Sequence, residues 1–537
     1  MNPSSFCCIS TLGSSKELIG MLLTLSLHNQ NTKVYIMTDT PTKNKIEELQ
    51  KYIKLDIEIV NTLDKYSNKN RKQMEKEKIW SEFQMKKAEV IKFSLNKSND
   101  TLFLDCDILI FNKITIPDNT KDIGVSPHYI KKQITDRYGY YNGGCIWVKN
   151  KNVPDKWIEY TKTSRFYDQA SIEDLVKNFS YFEFPEQYNL GAFRISHDSR
   201  NVLNHIEIIN NKLHYKKKPL IFIHTHLDRC NSYALLKNKI IELLSYGNFY
   251  KELICIQRML NQKWTISIPK QPKRNKYNHC NDTYRELAHL YSNHNDIDLV
   301  INDSNHCWFM NDILLYDRPT LQWIDQEVLK SRLILLGNCD IDDEKDLKNN
   351  INKLIQPWIF WPRKPKLVEE VLKENKNYNY DERKIESIFM GGFTTQQQLN
   401  NRNPTKLCWD KVITEFYFIQ GNKFKYSHKE YLYQLQKSKY GLCLRGFGKK
   451  CNREMELMAM GNVPIITPDV SIDYYNDKLI ENKHYIRINN PSEYKTKINS
   501  ISKEQWTEMS NNCKEWYMKN IHSKNGFNQL IKQLLYN

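Results

Sequence analysis

The stretch Thr101-Leu102-Phe103-Leu104-Asp105-Cys106-Asp107-Ile108-Leu109-Ile110-Phe111 decides how this chain is read. Apolar residues run up to Asp105 and resume at Ile108, which predicts one buried strand with two carboxylates near its C-terminal end. Two acids separated by a single residue on an apolar strand are costly unless something neutralises them. A divalent cation does so, and hard oxygen ligands suit Mn²⁺ or Mg²⁺, ions that also hold diphosphates. The alternative is that one acid caps a turn and the other is solvated.

Upstream, residues 6–11 read as a first strand ending in Ser10 and Thr11, and residues 15–29 as a helix through Leu18, Leu22 and Leu25. A second strand, Lys33 to Thr38, closes at Asp39, and a third spans Asp56 to Val60 after another helix. This β-α-β-α-β alternation predicts a mostly parallel sheet with helices on its faces. Ligands of such sheets sit at the carboxyl ends of the strands, where Ser10, Thr11, Asp39, Asp105 and Asp107 all fall. Residues 65–80 are charged and predict a mobile loop or exposed helix, and residues 83–95 an amphipathic helix.

Further candidates follow. Lys87 lies on the helix before the acidic strand, where it could reach a diphosphate or simply be solvated. Tyr141-Asn142-Gly143-Gly144 precedes a strand at Cys145–Val148 and is either an ordinary Asn-Gly turn or a close-approach site for a sugar or phosphate. Asp168-Gln169 opens a helical stretch in which Asp168 could serve as an N-cap. The apolar strand Pro219–Ile223 runs into His224-Thr225-His226, and a histidine there can complete a metal site with the two acids.

The chain has 537 residues, enough for more than one domain with its own core. A 40% hydrophobic content fits a folded enzyme and argues against a disordered chain. The formal charge is 79 − 62 = +17, which suits anionic partners, but the lysines are scattered among asparagines and isoleucines as AT-rich coding would scatter them. Nucleic acid is therefore not an expected partner. No basic n-region or long apolar run predicts a signal peptide or membrane span. Thirteen cysteines without paired CxxC spacing predict reduced thiols in a cytoplasmic setting, with no structural zinc. The Lys/Asn-rich composition would suit a large DNA virus or a protist, and hence a host cytoplasm or virion.

Taken together, strand–Ser/Thr, strand–Thr-Asp, helix with Lys, DxD, Asn-Gly-Gly, Asp-Gln and strand–His resemble the retaining nucleotide-sugar glycosyltransferases of GT-A fold, and most of all the family 8, glycogenin-like group. The resemblance implies that Asp105, Asp107 and His224 hold Mn²⁺ (or Mg²⁺), with His226 as the alternative third ligand. It implies that Ser10, Thr11, Asp39, Lys87, Gly143 and Gly144 surround the donor, and that Asn142, Asp168 and Gln169 face the transferred sugar. The family's closing His-x-x-Gly-x-x-Lys-Pro-Trp is absent, and Arg229 would replace its phosphate-binding lysine. A DxD phosphatase is a remote alternative, because its first Asp would follow the first strand of the domain.

Residues 261–282, with Pro269, Pro272 and the basic Lys270–Lys276 stretch, read as a linker between a domain at 1–260 and a second α/β region at 283–537, divisible into 283–378 and 379–537. In that region, Ser438 to Gly448 reads as a strand opening into a glycine-containing loop, followed by a helix carrying Arg453 and Glu456 and by the strand Val463–Thr467. A glycine loop at a helix N-terminus is an anion site, although an ordinary βαβ unit looks the same. Ser438-Lys439-Tyr440, Gly446, Arg453 to Glu456 and Gly461 to Ile466, with Phe389 to Gly392 and Arg402 upstream, resemble the C-terminal half of exostosin-like glycosyltransferases, which have GT-B-type folds. That resemblance implies a second, metal-free donor site on Gly446, Arg453, Glu456 and Arg402. The expected whole is a bifunctional enzyme taking nucleoside-diphosphate sugars to a glycan or glycoprotein acceptor, or alternatively one active GT-A domain with a non-catalytic glycan-binding partner domain.

Overall fold

A computed structural model describes the chain apart from residues 199–200, 226–231, 247, 271–280, 305, 317–330, 337–353, 358–361, 375, 377, 394, 422–423, 447, 450–451, 474 and 476. The chain divides into two compact units. The first is Met1–Gln262 together with Leu534–Asn537, and the second is Lys263–Gln533. Both are α/β with sheets rich in parallel pairing.

In the first unit, β1 (Ser5–Ser10), β2 (Thr32–Thr38), β3 (Leu55–Asn61) and β4 (Thr101–Leu104) form a parallel block in the order β3-β2-β1-β4. The sheet continues through β7 (Tyr141–Val148), β6 (Ile123–Pro127) and β8 (Tyr181–Glu183), with β7 antiparallel to both of its neighbours. Helix α1 (Ser15–His28) buries Leu18, Leu22 and Leu25, the spacing that sets its inner face. Helix α2 (Thr40–Gln50) starts where Asp39 caps it, accepting from the Thr42 amide, with Pro41 in its first turn. The helix Trp80–Leu95 packs Phe83, Ala88 and Ile91 into the same core as Val125, Ile146 and Trp157. Of the two readings of residues 65–80, the structure gives the exposed helix, at Arg71–Lys76, preceded by a 3-10 turn at Asp64–Tyr66.

The acidic stretch departs from its sequence reading in one important respect. It is two strands in two sheets, not one strand. β4 stays in the main sheet to Leu104, and the Asp105 amide still donates to Gly144 O at 2.8 Å. The chain then turns through Cys106 and Asp107 and enters β5 (Ile108–Ile110), which pairs antiparallel with the strand Phe222–His224. β9 (Leu190–Gly191) completes that three-stranded sheet. The physical reason is solvation: two carboxylates cannot stay in a buried ladder, so the ladder stops where they begin. Asn142-Gly143-Gly144 is also corrected, since these residues lie inside β7 and the turn falls earlier, at Gly139 with φ +101°.

In the second unit, residues 264–269 correct the linker reading. Trp264–Pro269 is an inner strand of a six-stranded sheet, paired with Ile297–Asn302 and Cys307–Phe309. The eleven-residue helix Asn281–Tyr291 follows within the same unit. The other sheet has five strands, all parallel, in the order Glu415–Gln420, Ile385–Phe393, Ser438–Cys443, Val463–Ile466 and Ile486–Arg487. No helix among the described residues is long and apolar enough to cross a membrane. None of the described cysteines is in a disulfide.

Candidate metal and donor site

The break after β4 places Asp105 and Asp107 in one tight turn, and pairing of Ile108 with His224 brings the histidine beside them. One ligand atom from each of Asp105, Asp107 and His224 lies within 4.8 Å of the others, so the three could hold one metal ion. His224 Nε2 is 2.9 Å from Asp107 Oδ1 and 3.9 Å from Asp105 Oδ2. The donor set of two carboxylates and an imidazole fits Mn²⁺ or Mg²⁺ in its oxygen ligands and Mn²⁺ best in its nitrogen. Burial favours the neutral imidazole, but Asp107 and Asp105 reverse this and the net shift of His224 is upward. Burial also raises the Asp105 carboxyl, against the pull of Lys87 and His224.

Lys87 is not solvated. Its ammonium is buried and touches Asp105 Oδ1 and Asp168 Oδ2, each at 3.1 Å, and it donates to Gly143 O at 3.2 Å. Burial alone would discharge it, yet the two carboxylates outweigh burial and raise its pKa. Asp168 is no N-cap either, since it lies within the helical turn Tyr167–Ala170. Gly143 and Gly144 are small for a steric reason. A Cβ on Gly143 would sit 2.3 Å from Asp168 Oδ2, and one on Gly144 would sit 2.5 Å from both Asp105 Oδ2 and His224 Cε1. Gly144→Ala should therefore push apart the candidate metal ligands Asp105 and His224. Mn²⁺ affinity measured by calorimetry should fall by about tenfold or more, while circular dichroism stays unchanged.

Asn142 is buried on β7, and its Nδ2 lies 3.4 Å from Gln169 Oε1, so Asn142, Asp168 and Gln169 do converge. Ser10 and Thr11 are buried at the end of β1 and both bond Ser14. Asp39 is fully buried, with Oδ1 accepting from Thr42 N and Oδ2 from Leu12 N. The structure thus gives Asp39 the task of tying the β1 loop to the start of α2. His226 and Arg229 lie outside the described residues.

Sequence reasoning missed Ser126, His128 and Asn189. All three are buried: His128 and Asn189 bond Asn142, Ser126 accepts from Asn189, and Asn189 also touches His224. No period or motif singles them out in a chain so rich in asparagine; the pairing of β6 with β7 brings in Ser126 and His128, and the pairing of β9 with Phe222–His224 brings in Asn189. Burial lowers the pKa of His128 from 6.5 to about 4, partly opposed by its bond to the Tyr140 backbone. A histidine held neutral stabilises the fold fully above its unfolded pKa, and this is lost as pH falls from 6.5 towards 4. The loss should be about 3 kcal/mol across that window. Denaturant midpoints at neutral and acid pH should show it in the wild type and show it diminished in His128→Gln.

In the second unit, Arg402, Gly446 and Arg453 lie about the carboxyl end of Ile385–Phe393, where the strand order changes direction. Arg402 donates to Gly392 O at 2.9 Å and to Arg445 O at 3.1 Å, and Gly446 O accepts from Asn401. Arg453 donates to Met390 O at 2.8 Å and lies 4.5 Å over the Phe389 ring. Glu456 is buried, accepts from the Arg363 amide at 3.2 Å and lies 3.3 Å from His428 Nε2.

No protein-family model matches the chain, and no curated protein matches it in sequence. Among solved structures it is similar to the glycosyltransferase GlyE of Streptococcus pneumoniae TIGR4, at 11% identity and a TM-score of 0.32 over 66% of this chain and 91% of that one. It is also similar to the galactosyltransferase LgtC, at 12% identity and a TM-score of 0.31, covering 45% of this chain and 96% of that one. A third is mouse xyloside xylosyltransferase 1, at 8% identity and a TM-score of 0.29, covering 42% of this chain and 99% of that one.

Proposed function

We propose that the first unit is a metal-dependent glycosyltransferase that moves a sugar from a nucleoside-diphosphate sugar to a hydroxyl of a glycan or glycoprotein. The observation that carries this reading is the cluster of Asp105, Asp107 and His224 at the carboxyl end of a mostly parallel sheet, with a buried Lys87 joining Asp105 to Asp168. A cation held there would neutralise the charge that builds on a departing diphosphate. The chain's own residues do the rest. Lys87 holds Asp168 in place through its ion pair. Asn142 and Gln169 offer amide groups to sugar hydroxyls beside it. Retention of anomeric configuration is the stereochemical outcome we infer, on the resemblance to family 8.

For the second unit we propose a donor-binding role at Gly446, Arg402, Arg453 and Glu456, where two guanidinium groups and a helix start offset phosphate charge without a metal. A second reading, in which this unit binds glycan without catalysing transfer, is favoured by one observation. Glu456 already has the Arg363 amide and His428 as partners, which leaves less of it for a ribose diol.

The test is a panel of nucleotide sugars incubated with the full chain and Mn²⁺. At least one should release its nucleoside diphosphate, and chelation should stop the release. Undiminished hydrolysis in excess chelator would overturn the metal-dependent reading. Hydrolysis lost with Asp107→Asn but retained with Arg453→Ala, with no second donor bound under chelation, would favour the single-site alternative.

A further inference from the structure

An amide side chain can be turned end for end, and a neutral imidazole can carry its proton on either nitrogen, so direction in such a network must come from groups that cannot turn. Two such groups bracket the buried network beside the metal site. The backbone N–H of Gly144 can only donate, and it lies 2.9 Å from Asn142 Oδ1. The backbone carbonyl of Tyr140 can only accept, and it lies 3.2 Å from His128 Nδ1.

From the first group, the Asn142 oxygen is fixed as an acceptor, so its neighbour at 3.0 Å must be the Asn189 Nδ2 donor. Ser126 Oγ takes the other Asn189 N–H at 3.1 Å. Asn189 Oδ1 then faces His224 Nδ1 at 2.9 Å, and that contact is a bond only if Nδ1 carries the proton. From the second group, His128 Nδ1 carries a proton, so Nε2 of the neutral ring accepts from Asn142 Nδ2 at 3.3 Å. Both ends give Asn142 the same orientation.

Resting on the metal-site reading above, we infer that Asn189 is a positioning residue that holds His224 in the Nδ1–H form, so that its Nε2 lone pair is presented to the cation between Asp105 and Asp107. The chain Gly144 → Asn142 ← Asn189 ← His224 passes the polarity of one strand amide to the metal ligand. It also couples the ligand to Asn142, on the sugar side of the site. Backbone geometry supports asparagine here. Residue 189 has φ +54°, a left-handed conformation that Asn, Asp and Gly tolerate and most residues do not.

That conformation selects the test variants. Asn189→Gly removes the carboxamide without backbone strain, and Asn189→Asp keeps an acceptor for Nδ1–H while losing the donor to Asn142. Asp107 Oδ1, 2.9 Å from His224 Nε2, favours a proton on that nitrogen when no metal is bound, so two-bond ¹H–¹⁵N correlation on metal-free protein labelled at histidine is followed upward in pH until the His224 signals stop moving, and the tautomer is read there. The His224 signal is identified by its loss in His224→Gln. The wild type should show Nδ1–H, and Asn189→Gly should show a mixture. Mn²⁺ titration by calorimetry should find binding about 10–100-fold weaker in Asn189→Gly and within about threefold of wild type in Asn189→Asp. An Nε2–H tautomer in the wild type, wild-type Mn²⁺ affinity in Asn189→Gly, or an equal fall in both variants would overturn the inference. If wild type binds no Mn²⁺ while its His224 is Nδ1–H, the metal-site reading fails and the tautomer assignment stands. Should Asn189→Gly lose its circular dichroism signal, the wild-type spectrum and Asn189→Asp decide the matter.

Discussion

On the function proposed above, Asp107→Asn is expected to lower Mn²⁺-dependent donor turnover at least about 10³-fold, the scale of losing preorganised charge stabilisation in a reacting site. The reason is positional. Asp107 closes the turn between β4 and β5, its backbone oxygen accepts from Thr225 N at 3.0 Å, and its carboxylate is the nearer of the two acids to His224 Nε2. Replacing one carboxylate oxygen by an amide leaves the backbone bond and the turn intact but removes an anionic ligand. Thermal melting without metal should barely move, whereas calorimetric Mn²⁺ binding should collapse. Turnover above a tenth of wild type would exclude Asp107 from the metal site.

Lys87→Met should act through stability. The Lys87 and Asp168 side chains are 7% and 6% exposed, so the substitution strands a carboxylate where water cannot reach it. Breaking a buried ion pair from one side costs about 3–5 kcal/mol, far more than an exposed pair contributes. The neighbouring Lys92–Asp155 pair is such an exposed pair, at 52% and 60%, and serves as control. Its removal should change stability by less than about 1 kcal/mol. Denaturant titration of the full chain, read at the transition that Mn²⁺ shifts, isolates the first unit. Lys87→Met matching the Lys92 variant would show that the buried triad is not what holds Asp168.

These two residues also show what a sequence can and cannot disclose. Asp107 was legible because an acid inside an apolar run has few explanations. The alternation of strands and helices up to residue 104 was legible for the same reason, since period and turn chemistry are local. Lys87 was found, but its environment was not, because a lysine on an amphipathic helix looks alike whether its tip reaches water or two carboxylates. The two-sheet split at Asp105–Asp107 was hidden because Ile108–Ile110 is as apolar as the strand before it. Trp264–Pro269 was hidden by its prolines and basic neighbours, which mimic a linker. In the second unit, the sequence pointed to Glu456 but not to His428 or the Arg363 amide, partners that only tertiary contacts supply.

The split has a thermodynamic corollary. Two of the three candidate ligands sit on the chain as it leaves the seven-stranded sheet, and the third sits on a strand of the three-stranded one. A cation bound by all three would be a cross-link between sheets, present in the native state and absent from the unfolded chain. Its contribution would grow as the logarithm of free metal above the dissociation constant, about 1.4 kcal/mol for each tenfold rise. Divalent-ion supply would then set how firmly the two sheets are joined as well as how fast sugar is moved.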